Sequence, residues 1–106
     1  MPRYLWQASY TVSGAEGLVR EGCTKRRQVV QRVVESLGGR LELFDYALGN
    51  DDLFIVAQLP NTVSAIGVSM VINAGGGATV KTSVLVTPEE VDQAATKRAE
   101  YTPPQK

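Results

Sequence analysis

The residues of this 106-residue chain that could do chemistry are few. There is no histidine, and Cys23 is the single cysteine. Histidine-based triads, histidine general bases and histidine-ligated zinc or iron are therefore excluded within one chain, as is an internal disulfide. A Mg²⁺ or Ca²⁺ site built from oxygens remains open in principle, but no motif marks one and no metal ligand is assigned. Catalysis would have to rest on carboxylates, phenols, Lys, Arg, Ser, Thr, Cys23 or a borrowed cofactor, and no signature names that cofactor.

Arg26 stands out first. At about 100° per residue it falls near the centre of the stripe formed by Val30, Val33 and Leu37, where a charge cannot stay unpaired. With Gly22 and Thr24 it could form an anion-binding corner at a helix N-terminus, with Lys25 and Arg27 adding positive charge. The alternative is a structural ion pair, with Asp45 or Asp52 as partner. Asp45 interrupts the strand face that carries Leu41, Leu43 and Ala47. Turned towards helices it would be a buried carboxylate fit for general-base work, with the Tyr46 hydroxyl beside it; at a wet strand end it would be ordinary. Gln7, Ser9, Lys81 and Ser83 lie on two strands expected to be neighbours and could line a polar pocket between the sheet and its cover, with Tyr10 adding a hydroxyl. Polar residues on a wet sheet face are the plainer reading. Cys23 precedes a helix start and three cations, features that lower a thiol pKa; a small filler thiol is the alternative. Gly75-Gly76-Gly77 is no phosphate loop, because it follows a helix and lacks the subsequent Lys-Ser/Thr.

The elements that must position these groups follow from periodicity. Residues 3–10 alternate as a strand, with Tyr4, Trp6, Ala8 and Tyr10 on one face. Residues 11–23 hold three glycines and read as a long loop with at most one helical turn after Ser13. Thr24 reads as the N-cap of a helix carrying the stripe Val29, Val30, Val33, Val34 and Leu37, stopped by Gly38-Gly39. Residues 40–48 and 53–59 make a hairpin around Gly49-Asn50-Asp51-Asp52. Residues 62–74 are apolar nearly all round and read as a second helix. Residues 78–86 form a fourth strand. Thr87-Pro88-Glu89-Glu90 starts a C-terminal helix to about residue 99, with cap, proline and acids in place; residues 100–106 read as a loose tail. The order β-α-β-β-α-β plus a C-terminal helix predicts an α+β, ferredoxin-like domain over 1–99: a four-stranded antiparallel sheet with both helices on one face.

Two helices cover one face of such a sheet. An exposed opposite face should be polar at alternate positions, yet both faces here carry large apolar residues. Leaving five or six of them in water forgoes about 1.5–3 kcal/mol each. Self-association through the open face is expected, with helix 62–74 as a further contact. The alternative is that the C-terminal helix folds back over that face.

The stretch from Gly38-Gly39 through Gly49-Asn50-Asp51-Asp52 to Leu59-Pro60 resembles the GYD domain family. So do Tyr4-Leu5 with Ser9-Tyr10-Thr11, Asn73-Ala74, and Lys81-Thr82 before Leu85-Val86-Thr87-Pro88. The resemblance covers about residues 3–92. It implies a ferredoxin-like fold akin to the dimeric α+β barrels, and no settled activity. The hairpin turn departs from the family's Gly-Tyr-Asp signature: Gly49 and Asp52 are kept, but Asp51 stands where the tyrosine is expected.

Eleven basic residues balance eleven acidic ones, which gives no electrostatic footprint for nucleic acid. No apolar run approaches the ~20 residues that span a bilayer, and no signal segment follows Met1. A soluble, cytoplasmic protein is expected. Two functions remain: a homo-oligomeric module that binds a small molecule or anion, or a cofactor-independent enzyme of isomerase or small-oxygenase type using Asp45, Tyr46 or Arg26.

Overall fold

Alternating residues of the first and third strands supply most of the core. In β1 (Arg3–Tyr10), Tyr4, Trp6 and Ala8 are buried. In β3 (Leu53–Gln58), Leu53, Ile55 and Ala57 are buried. The computed structural model describes residues 1–105. It places β1 and β3 antiparallel at the centre of a sheet ordered β2-β3-β1-β4, with β2 at Arg40–Tyr46 and β4 at Ala78–Leu85. Three helices cover one face: α1 (Val12–Glu21), α2 (Cys23–Ser36) and α3 (Thr62–Ala74). A fourth, α4 (Pro88–Ala95), follows β4. This is the predicted ferredoxin-like arrangement.

α2 buries Val30 and Val34, the middle of its apolar stripe. α3 buries Ala65 and Val68 and is tied to the sheet by polar tips: Trp6 Nε1 donates to Ser69 Oγ at 3.1 Å, and the Tyr4 and Thr62 hydroxyls meet at 3.2 Å. Its outer side leaves Val63, Ile66 and Met70 exposed, an i, i+3, i+7 row.

Four readings are corrected. Residues 11–23 are not a loop: Thr11 caps a true helix by accepting from Gly14 N–H at 3.1 Å. Its glycines are there for space rather than for flexibility. A Cβ on Gly14 would lie 1.8 Å from the Gly77 carbonyl oxygen, because the two backbones touch where Thr11 also bonds the Gly76 and Gly77 carbonyls. Gly14→Ala is therefore expected to lift α1 from the sheet and cost about 1–3 kcal/mol, read as a lower urea midpoint with unchanged slope.

The second correction is that Thr24 is not the cap of α2. Gly22, with φ +97°, takes that place without a side-chain bond, and Thr24 is exposed inside the helix. Once α1 forms, the junction needs a left-handed residue, and glycine supplies it. Third, β2 does not alternate throughout. A bulge between Leu41 and Leu43 puts Leu41 on the same face as Phe44 and Tyr46, which look towards the helices, while Leu43 and Asp45 look the other way. Fourth, the C-terminal helix α4 ends at Ala95 rather than near residue 99; nor does it fold back over the open face, the alternative to self-association, since every residue from Val86 to Gln105 is exposed. Thr87 forms a capping box with Glu90, and α4 is well built but packs on nothing. The open face thus presents Leu5, Leu43, Phe54 and Val56 without a cover from this chain.

Candidate functional site

Small residues open a space between sheet and helices. Ala8 and Ala78 shorten the sheet's reach at its floor, Gly14 and Gly17 do the same on α1, and Gly75 and Gly77 lie at the end of α3. The result is a cavity of about 330 Å³, walled also by Leu18, Val29, Val30, Val33, Leu53, Ile55, Val71 and Ile72. Among the residues that line it only Tyr10, Glu21 and Arg26 are polar.

Arg26 does reach this space, as its place on the apolar stripe implied. Its partner is Glu21, whose Oε2 accepts from Nη2 at 2.5 Å, rather than Asp45 or Asp52. The reason is α1: because residues 12–21 are helical, Glu21 ends that helix five residues from Arg26. Gly22, Thr24 and Arg26 do not converge into an anion corner. Thr24 points to solvent, and the Arg26 N–H is taken by the Gly22 carbonyl at 3.2 Å.

Next to this end of the cavity sit two phenols. The Tyr10 and Tyr46 rings stack at 6.4 Å, and Phe44 meets Tyr46 edge-on at 5.6 Å. Burial, the largest cause, raises both hydroxyls above the ordinary phenol pKa, and for Tyr46 the neighbouring Tyr10 and Cys23 raise it further. A raised phenol pKa keeps the proton on, so both groups act as hydrogen-bond donors rather than bases at neutral pH. Tyr10 is held in place by its N–H, which donates to Asp52 Oδ2 at 2.8 Å. Cys23 is exposed at the first turn of α2.

Asp45 lies apart from this set. It is exposed and paired across the sheet with Phe54 on the open face, so it is no buried base beside the cavity. Gln7, Ser9 and Lys81 do converge, as their strand positions suggested, but on the open face and around Asp51. Gln7 Nε2 and Ser9 Oγ each donate to the Asp51 carboxylate at 3.2 Å, and Lys81 Nζ lies 3.3 Å away. Asp51 is 8 % exposed and was missed as a site residue. The signal available was its place in the turn between β2 and β3, beside the end of β1, with Gln7, Ser9 and Lys81 on one face of β1 and β4. Asp51 thus accepts two hydrogen bonds and has one ammonium beside it, so its buried oxygens are satisfied. Ser83 lies on this same face opposite Leu5, outside the cluster.

Among the described residues there is no group of three or more Cys, Asp or Glu placed to hold a metal ion, and no helix is long and apolar enough to cross a membrane. The fold is an α+β sheet-and-helix domain whose cavity lies under its helices, and the GYD domain family matches it over residues 4–95. The chain belongs to that family. No curated protein matches it.

Proposed function

We propose that the protein is a self-associating module that binds one small, largely apolar molecule in the cavity beneath α1, α2 and α3. The observation that carries this reading is the lining: apolar and glycine surface everywhere except one end, where Tyr10 and the Arg26–Glu21 pair sit. About 330 Å³ is at the small end of ligand sites. A few polar groups at one end of an apolar space fix orientation, which suits a ligand with a single hydroxyl, carbonyl or carboxylate.

Turnover has less support than binding. Glu21 is engaged with Arg26, the phenols hold their protons, and Asp45 faces away from the cavity. Self-association is supported by the uncovered apolar residues of the open face and by the exposed row Val63, Ile66 and Met70 on α3.

Gly17→Leu tests the cavity. Gly17 lines the cavity and a Cβ there meets only the Arg20 guanidinium, at 3.9 Å, so the position accepts a side chain, and leucine adds bulk to the cavity side of α1 while raising helix propensity. Titrated with the apolar fluorophore 1-aminoanthracene, the variant should bind at least about tenfold more weakly than the parent, with thermal stability equal or higher. Equal affinity in both proteins overturns the reading.

A further inference from the structure

The polar end of the cavity under the helices offers donors without net charge. Of the three polar side chains that line it, two form the Arg26–Glu21 pair and the third is Tyr10. A guanidinium carries five N–H donors and no acceptor. One of them, on Nη2, is engaged by Glu21 Oε2 at 2.5 Å, so the carboxylate is occupied while the guanidinium still has donors to give.

Tyr10 adds another. Burial, the largest cause, raises its pKa and Tyr46 lowers it in part, whereas Tyr10 raises that of Tyr46. This asymmetry arises when the Tyr46 hydroxyl turns its proton towards the Tyr10 oxygen, which leaves the Tyr10 proton for a different acceptor. Backbone groups at the glycine end of the cavity are already taken. Gly14 N–H donates to Thr11 Oγ1 at 3.1 Å, Gly75 N–H to the Val71 carbonyl at 3.1 Å, and the Gly77 carbonyl accepts from Thr11 N–H at 3.0 Å. A polar atom of a ligand is therefore satisfied at the Tyr10 end, and what it meets there is donors.

Charge decides which acceptor fits. Arg26 and Glu21 cancel, and the end of α1 meets the start of α2 at Gly22, so the two helix dipoles oppose each other there. A carboxylate entering this space gives up its water and finds a like charge already holding the cation it needs. A carbonyl gives up less and finds the same donors. We propose that the cavity selects neutral carbonyl compounds over carboxylates, with Tyr10 donating to the carbonyl oxygen and Glu21 setting the preference by neutralising Arg26. This rests on the binding reading above and narrows it to one ligand class.

Three bicyclic compounds of similar shape test it: 2-acetylnaphthalene, 2-isopropenylnaphthalene, in which a CH₂ replaces the carbonyl oxygen, and 2-naphthoate, ionised at pH 7. Each displaces 1-aminoanthracene from the full chain, with the affinity of the fluorophore measured separately for every variant. Ratios between compounds in one protein, compared across variants, cancel their different costs of leaving water. The parent should bind the ketone more tightly than naphthoate. Tyr10→Phe, which keeps the ring stacked on Tyr46, should lower the ketone-to-hydrocarbon ratio about fivefold, the worth of one hydrogen bond. Glu21→Gln, which keeps an amide oxygen for Arg26, should shift the naphthoate-to-ketone ratio towards naphthoate at least about tenfold. Either ratio unmoved, or a parent that prefers naphthoate, overturns the selectivity and leaves the cavity reading standing. A parent that binds none of the three overturns that reading as well.

Discussion

On the self-association proposed above, Phe54→Lys should leave the chain monomeric without unfolding it. Phe54 is central on the open face, between Asp45 on β2 and Gln7 on β1, and takes no part in the core cluster under the helices. In a symmetric assembly each copy contributes one such ring, so a single substitution removes two. Each buried phenyl is worth about 1.5–3 kcal/mol, and an ammonium left between two sheets adds a desolvation cost. The dissociation constant should rise at least about a hundredfold, equivalent to roughly 2.7 kcal/mol. Within one chain the lysine faces Asp45 across the ladder, an opposite-charge pair that a strand tolerates. Sedimentation reads the association and far-UV circular dichroism the fold. An unchanged dissociation constant would mean that the open face is not the contact, and the exposed α3 row would then be the place to look.

Trp6→Ala has the largest expected effect on stability, about 3–5 kcal/mol, against a total of about 5–15 kcal/mol for a domain. Trp6 has no solvent exposure and packs against Tyr4 with ring centroids 6.0 Å apart. Its indole N–H anchors α3 through Ser69, whose hydroxyl also donates to the Ala65 carbonyl and meets Thr82 at 2.6 Å. Trp6→Phe separates the two contributions. It keeps most of the ring contact and leaves Ser69 with its other partners, so the loss of the hydrogen bond should cost only about 0.5–1.5 kcal/mol beyond the lost volume. Trp6 is the only tryptophan, so urea unfolding must be followed by circular dichroism at 222 nm. Similar costs for the two variants would place the stabilisation in the hydrogen bond rather than in packing.

The elements legible in the sequence were those marked by an uninterrupted pattern. The valine stripe of α2 and its Gly38-Gly39 stop fall within one or two residues of the observed Cys23–Ser36 helix, and residues 62–74 are helical as read. α1 was hidden because Gly14 and Gly17, which look like loop residues by propensity, serve a backbone approach and the cavity wall. The bulge in β2 was hidden because one extra residue leaves no compositional trace, yet it moves Leu41 to the helix face.

The candidate site divides along the same line. Arg26 could be singled out from one helix, since a charge within an apolar stripe is a local contradiction of pattern. The convergence of Gln7, Ser9 and Lys81 followed from strand order. Their acceptor Asp51, the pairing of Arg26 with Glu21, and the stacking of Tyr10 on Tyr46 did not, because each joins groups whose meeting depends on a turn or a junction with its own geometry.

By itself the sequence determined the order of the four strands and of three of the four helices, the absence of histidine chemistry and the apolar character of both sheet faces, since composition and periodicity act residue by residue. Only the tertiary structure decided that the space under the helices stays open, that the polar cluster lies on the other side of the sheet, and that α4 is exposed along its length. Those outcomes depend on how volumes and backbones meet across the fold, and packing is a property of pairs far apart in the chain.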